Sequence, residues 1–212
     1  MTTPLQTLFA KACHDLPLVA VLRGISPTEI ASAGQALYDA HWRILEVPLN
    51  SPDPYTSIHH MQKNLPDALI GAGTVLTTQH VKDVHQAGGR LIVSPHFNAD
   101  VVRLAKSMGM ICIPGVATPS EAFAALDAGA DALKLFPAEM MPPAVIKALR
   151  AVLPKESILF PVGGISLNNM KDYKAAGASG FGIGTSLYKP GMSGNEVGRQ
   201  AQAFAQTWGS LR

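Results

Sequence analysis

Short apolar runs alternate with amphipathic, helix-forming stretches along almost the whole chain. In most repeats a helical stretch ends in a glycine-containing turn, as at Gly129 and Gly177, and an apolar run follows directly. Because glycine just past a helix end supplies the left-handed cap, each following run is interpreted as the next strand. The pattern predicts strands at 18–22, 44–48, 69–73, 91–95, 111–114, 132–136, 158–162 and 180–184.

The helix starts agree with this order of elements. Residues 26–29 (SPTE) and 118–121 (TPSE) both read as capping boxes, with a hydroxyl at the N-cap, proline at N1 and glutamate at N3. Thr77 and Ser166 are further candidate N-caps, and residues 5–15 predict an extra helix before the first strand.

Strands that alternate with helices predict an α/β protein with a parallel sheet. Eight such units predict a (β/α)8 TIM barrel that spans residues 1–212 as one domain, with the extra N-terminal helix covering its bottom. The alternative is a doubly wound open sheet, which would place a glycine-rich dinucleotide turn after the first strand. Residues 23–26 (RGIS) lack that fingerprint, so the barrel is favoured.

Composition and charge exclude several classes of function for this chain. With 47% hydrophobic and 15% charged residues the chain is globular, and a formal charge of +2 gives no basis for nucleic-acid binding. The sequence starts without a basic segment followed by an apolar one, and no run approaches the roughly 18 apolar residues of a membrane span. We therefore expect a soluble, cytoplasmic protein without a membrane partner.

A single lysine interrupts the sixth predicted strand. Period-two alternation places Ala132, Lys134 and Phe136 on one face of that strand. A closed barrel has no edge strand on which a lysine could serve as a solubility device, so this amine is expected inside. A buried ammonium is costly unless it is paired or its pKa falls, and a neutral amine is a nucleophile towards carbonyl groups. Lys134 is therefore the candidate Schiff-base residue.

Glu46 and Arg23 are the candidate partners of that lysine. Glu46 shares its strand parity with Ile44, which predicts a side chain inside the barrel, across from Lys134, where it can move protons. The alternative is a structural pair with Arg23 or Arg43. Arg23 ends the first strand and offers a two-point clamp for a substrate carboxylate, or a contact to a hydroxyl, unless it is a plain surface residue.

Glycine-rich segments follow the last two predicted strands. Gly163 and Gly164 come after the seventh strand, and Gly184, Thr185 and Ser186 come after the eighth. Barrels of this class bind phosphate on these two loops, because glycine lets backbone N–H groups approach phosphate oxygens. Glycine is also common in such loops without any ligand, but two sets on the two expected loops favour a phosphate site.

Together these residues indicate a class I aldolase that acts on a phosphorylated 2-keto acid. Such a reaction needs no metal or other cofactor, because the protonated imine supplies the electrophilic activation. Only His96 of the histidines lies near a predicted strand end, so a metal-dependent phosphosugar isomerase or epimerase is the weaker alternative. A non-catalytic phosphosugar-binding barrel is the third.

The chain also resembles a known family, the class I aldolases that cleave 2-keto-3-deoxy-6-phosphogluconate and its galactonate epimer. The matching segments are LEVPL at 45–49, GAGTVL at 71–76, VSP at 93–95, IPG at 113–115, LKLFPAE at 133–139 and PVGGI at 161–165. The resemblance implies a homotrimer with Lys134 as the Schiff-base residue and Glu46 as the acid/base. It further implies that Pro95 positions the catalytic water or a carboxylate, and that Thr74 lies near the carboxylate end of the substrate.

Two further residues are candidate substrate contacts: Asn50, in the segment after the second strand, and Phe136, beside Lys134. The resemblance implies that the phosphate is held by Gly163, Gly164, Gly184, Thr185 and Ser186.

Three features resemble the galactonate branch of this family: LRGI at 22–25, PLNSP at 48–52 and Val162 before the double glycine. They predict cleavage of 2-dehydro-3-deoxy-6-phosphogalactonate to pyruvate and D-glyceraldehyde 3-phosphate. The alternative is a 2-dehydro-3-deoxy-6-phosphogluconate or 4-hydroxy-2-oxoglutarate aldolase. Valine at position 162 has no hydroxyl group, so it cannot hydrogen-bond the C4 hydroxyl of one of the two epimers. One such bond is worth about 1–3 kcal/mol, so partial selectivity is expected.

Overall fold

The structure is a computed structural model that describes residues 3–211. The helices of this part are α1 Pro4–Asp15, α2 Ile30–Asp39, α3 Pro54–Asn64, α4 Thr78–Gln86, α5 Ala99–Ser107, α6 Pro119–Asp127, α7 Pro143–Val152, α8 Met170–Ala175 and α9 Gly194–Ser210. The strands are β1 Leu18–Val21, β2 Ile44–Pro48, β3 Leu69–Gly73, β4 Leu91–Val93, β5 Ile111–Ile113, β6 Gly115–Val116, β7 Leu133–Leu135, β8 Leu159–Pro161 and β9 Phe181–Ile183.

The strands are parallel but form two sheets, so the predicted closed TIM barrel is wrong. One sheet has six strands in the order β5-β4-β3-β2-β1-β9, and the other has three in the order β6-β7-β8. Both curve around one apolar interior, to which strands of either sheet contribute, for instance through Ile44 and Phe160. The fold is a distorted (β/α)8 barrel whose hydrogen-bond ladder is interrupted twice.

The ladder is interrupted at Pro114 and again between β8 and β9. The fifth predicted strand is split into β5 and β6 at Pro114, which has no N–H to donate to a ladder. The Pro114 carbonyl still accepts the Lys134 N–H at 2.9 Å, as part of the β6–β7 pairing. The two sheets stay joined because the chain runs directly from β5 into β6. Between β8 and β9 no continuous ladder forms; an isolated bridge joins Val162 to Gly182, and the Ser179 N–H donates to the Leu159 carbonyl at 2.9 Å. A side chain at position 182 would collide with Val162, so glycine is needed there.

The extra N-terminal helix is present and closes one end of the interior. Thr3 caps α1 by accepting the Gln6 N–H at 3.2 Å, and Gln6 completes the capping box. Phe9 and Ala12 of this helix belong to the interior apolar cluster. The loops that follow the strands lie at the opposite end of the interior.

The predicted helix starts have different outcomes. Thr118 forms its capping box and Thr77 caps α4 as predicted. Ser26 does not cap a helix, because α2 begins only at Ile30, after a turn. Likewise α8 begins at Met170 and not next to Ser166. Within residues 3–211 no helix is long and apolar enough to cross a membrane.

Candidate active site

Lys134 lies in the middle of β7, the central strand of the three-stranded sheet. Its side chain is only 5% exposed, and it lines a small interior cavity together with Glu46 and apolar side chains. Its Nζ lies 4.8 Å from the centre of the Phe136 ring. The amine is therefore held inside the curved sheets, away from any strand edge.

Glu46 faces the same interior from β2. It is 1% exposed, and its place depends on Gly73 of the neighbouring β3, since a Cβ there would collide with the carboxylate. Glu46 Oε2 has no hydrogen-bond partner among the described residues. A buried acceptor without a partner is costly, which is typical of a group that is satisfied only when a ligand binds.

Burial shifts the pKa of both groups towards their neutral forms. Burial raises the pKa of Glu46 to about 7, against the opposing attraction of Lys134 and Arg23. Burial also lowers the pKa of Lys134; Glu46 opposes this change, and Arg23 adds to it. The site thus favours an uncharged amine beside a carboxyl group that exchanges its proton near neutral pH, which suits imine chemistry.

A second cavity of about 180 Å³ opens from Lys134 towards the loops. Of the predicted site residues it is lined by Lys134, Arg23, Phe136, Gly163, Gly164, Gly184, Thr185 and Ser186. Gly163 and Gly164 have φ values of +108° and +63°, which glycine adopts without strain. The Ser186 hydroxyl donates to the Ile165 carbonyl at 2.9 Å and joins the two predicted phosphate loops.

Arg23 and Asn50 meet at the rim of the site. Arg23 Nη1 donates to Asn50 Oδ1 at 2.9 Å, and both side chains are exposed. Thr74 and Pro95 follow the neighbouring strands β3 and β4 and are half-buried. Neither is among the residues that line the two cavities of Lys134.

Glu139 also lines the cavity of about 180 Å³, although the sequence alone gave it no role. It lies in a 3₁₀ turn over Ala138–Met140, and its carboxylate lies against the backbone of Gly163 and Gly164. The available signal was its place in the LKLFPAE segment, directly after the strand that contains Lys134.

Metal ligands do not cluster in the part of the chain that the structure describes: no three His, Cys, Asp or Glu side chains come together there. His96, the histidine near a predicted strand end, is exposed. These residues offer no candidate metal centre.

Comparison with known proteins identifies the family. Residues 9–200 match the family model for KDPG and KHG aldolases. A Rhizobium meliloti protein named as a probable 2-dehydro-3-deoxy-6-phosphogalactonate aldolase is 50% identical over 190 residues, covering 89% of this chain and 90% of the relative. The Escherichia coli 2-dehydro-3-deoxy-6-phosphogalactonate aldolase is 44% identical over 194 residues, covering 91% of this chain and 95% of the relative.

Comparison with solved structures leads to the same family. One described as native KDPGal superimposes with a TM-score of 0.91 at 44% identity, covering 92% of this chain and 96% of its own. The range matched by the family model, residues 9–200, includes every residue of the candidate site. The chain therefore belongs to the KDPG and KHG aldolase family and is a carbon–carbon lyase.

Proposed function

We propose that the protein is a class I aldolase that cleaves 2-dehydro-3-deoxy-6-phosphogalactonate to pyruvate and D-glyceraldehyde 3-phosphate. The names of the two relatives support the substrate. The observation that carries the chemistry is the burial of Lys134 and Glu46 in one interior cavity, with Lys134 also lining the larger cavity beside the glycine loops.

Lys134 starts the reaction by attacking the C2 carbonyl and losing water to form an imine. The protonated imine accepts the electron pair of the C3–C4 bond as that bond breaks. Glu46, in its carboxylate form, takes the proton of the C4 hydroxyl, and D-glyceraldehyde 3-phosphate leaves. Glu46 then returns the proton to the enamine carbon, and water releases pyruvate. A carboxyl pKa near 7 suits both proton transfers.

The remaining predicted residues bind the substrate. Gly163, Gly164 and Gly184, with Thr185 and Ser186, form a phosphate cradle, because their loops border one cavity with the amine. Arg23, oriented by Asn50, binds the carboxylate or a hydroxyl. Phe136 packs beside the amine. Thr74 and Pro95 act at the carboxylate end and on the catalytic water, roles that rest on family resemblance.

Val162 supports the galactonate epimer over the gluconate one. It lines both cavities of Lys134 and brings no hydroxyl to them. The family resemblance also supports a homotrimer. We further propose a cytoplasmic location, because phosphorylated sugar acids do not cross membranes unaided.

Borohydride reduction in the presence of pyruvate tests the chemistry. The wild-type chain should gain one reduced pyruvate adduct, and peptide mapping should place it on Lys134. Lys134→Met should gain none and release no pyruvate, while the other lysines serve as internal controls. An adduct on another lysine would refute the assignment.

A pyruvate-release assay with the two 6-phosphorylated epimers side by side tests the substrate. The galactonate epimer should have the higher kcat/KM, by about tenfold if one hydrogen bond discriminates. Faster cleavage of the gluconate epimer would favour the alternative aldolase.

A further inference from the structure

The Glu29 carboxylate is hydrogen-bonded through both oxygens, and the two oxygens reach distant parts of the chain. Oε2 accepts the Ser26 N–H at 3.0 Å and the Ser26 hydroxyl at 2.6 Å. Oε1 accepts the Gly191 N–H at 2.7 Å and the Tyr188 hydroxyl at 3.2 Å, which lie 162 and 159 residues further along. One side chain therefore joins the loop after β1 to the loop after β9.

Both loops border the candidate active site. The loop after β1 contains Arg23, and the loop after β9 contains Thr185 and Ser186; all three residues line the cavity of about 180 Å³. The Gly184 carbonyl accepts the Tyr188 N–H at 3.0 Å, so Tyr188 completes the turn that presents Thr185 and Ser186.

Further contacts hold the loop after β1 on both sides. On one side the Gly24 N–H donates to Ser51 Oγ at 2.9 Å. On the other side the Pro190 ring packs directly against Gly24, next to the bonds that Glu29 makes. Glu29 therefore connects this loop to the loop after β9 at a point where the two are already in contact.

We propose that Glu29 is a positioning residue that fixes the spacing between Arg23 and the phosphate cradle. The spacing matters because one phosphorylated 2-keto acid must reach Arg23, Lys134 and the cradle at once. This inference rests on the proposed function.

The partners of Glu29 explain why the link requires a carboxylate. All four hydrogen bonds are donated to it, two by backbone N–H groups and two by hydroxyls. An amide would turn an NH₂ group towards donors and lose one side of the link. Hydrogen bonds hold the pKa of Glu29 below its usual value despite partial burial. The Ser26 hydroxyl and the Gly191 N–H contribute most, and the Ser26 N–H and Tyr188 contribute less. It therefore stays charged at neutral pH.

Glu196 provides a matched control. It accepts the Ser193 N–H at 2.8 Å and the Ser193 hydroxyl at 2.6 Å, the same two donors at the same sequence spacing. These bonds remain within the start of α9 and do not join two loops of the site. Glu196→Gln therefore disturbs the local bonds to a serine three residues earlier and nothing else, whereas Glu29→Gln disturbs the same local bonds and also removes the link between the two loops.

The test compares steady-state pyruvate release and borohydride trapping of pyruvate in Glu29→Gln, Tyr188→Phe and Glu196→Gln. Glu29→Gln should raise the KM of the phosphorylated substrate about tenfold, the size expected from lost charge-assisted bonds, with kcat within about threefold of wild type. Trapping at saturating pyruvate should not change, because pyruvate is too short to reach the cradle. Tyr188→Phe, which keeps the bonds to Ser26, should raise KM about threefold.

Glu196→Gln should leave KM unchanged while lowering the melting temperature as Glu29→Gln does. Equal KM values in Glu29→Gln and Glu196→Gln, or a loss of kcat and trapping together with KM, would show a merely structural role and overturn the proposal. If Glu29→Gln does not fold, a wild-type KM in Tyr188→Phe overturns it. A wild-type chain that releases no pyruvate overturns the proposed function itself, and this inference with it.

Discussion

At the scale of single residues, two buried ionisable groups set the chemistry, and each reduces the cost of burying the other. Lys134 is the feature that the sequence identified most directly, because a lone lysine in an apolar run requires an explanation in physical terms. The reasoning behind that prediction was only partly right. The lysine avoids a strand edge because β7 is central in a three-stranded sheet, and not because a closed barrel has no edges.

The Glu139 carboxylate leads to a prediction about phosphate affinity. It lies against Gly163 and Gly164, where the phosphate is proposed to bind, so its negative charge repels that ligand. Glu139→Gln keeps the shape and removes the charge. We expect the KM of the phosphorylated substrate to fall about two- to fivefold at low salt, and the gain to shrink at high salt because Glu139 is exposed.

Steady-state kinetics at two ionic strengths measure this effect. Glu156→Gln is the control, because Glu156 is an exposed glutamate in the loop before β8, at the other end of the strands. A KM that rises in Glu139→Gln would contradict the repulsion and indicate that the carboxylate contacts a substrate hydroxyl.

At the scale of elements, sequence patterns located the helices and strands better than their ends. Thr118 formed its predicted capping box because both reciprocal partners are local. Ser26 has the same spacing to Glu29 and donates its N–H to that glutamate, but the Glu29 N–H donates to the Ser26 carbonyl at 3.1 Å and not to the Ser26 hydroxyl, so the box is incomplete. The other oxygen of Glu29 accepts from Tyr188 and Gly191. A partner so far along the chain leaves no local signal, which is why sequence reasoning could not foresee it.

Helix α1 leads to a prediction about the interior. Phe9 is 5% exposed and belongs to the interior cluster, whereas Phe123, on α6, is 42% exposed. Phe9→Ala should lower the free energy of unfolding by about 3–5 kcal/mol, and Phe123→Ala by less than about 1 kcal/mol. Urea denaturation of the two variants measures the difference. Equal losses would mean that α1 does not seal the interior.

At the scale of the whole molecule, the alternation of strands and helices was enough to predict an α/β protein but not the closure of its sheet. Closure depends on whether hydrogen bonds form between particular neighbours: Pro114 has no N–H to donate at the first interruption, and between β8 and β9 the pairing is limited to the bridge of Val162 and Gly182. Much of the candidate site was predictable, because Lys134 and Glu46 lie within strands that face the interior and the other residues follow strand ends, which meet at one end of any such curved parallel sheet. Glu139 and Thr74 were harder to place, because turns determine their positions.

The stability of the whole protein should depend on pH through the ionisation of Glu46. Its pKa is about 7 in the folded protein and near 4.5 in the unfolded chain, so between these values the folded state binds the extra proton. The free energy of unfolding of the wild type should therefore lose this contribution as pH rises from about 4.5 to about 7, because the folded state must then hold a buried charge. Glu46→Gln cannot ionise, so its stability relative to wild type should increase between pH 5 and pH 8.

Urea denaturation at both pH values measures this difference, with Glu156→Gln as an exposed control that should show none. A relative stability of Glu46→Gln that stays constant or falls over this range would mean that the carboxyl group titrates in the folded protein as it does in water, and that the interior is not dry enough for the proposed chemistry.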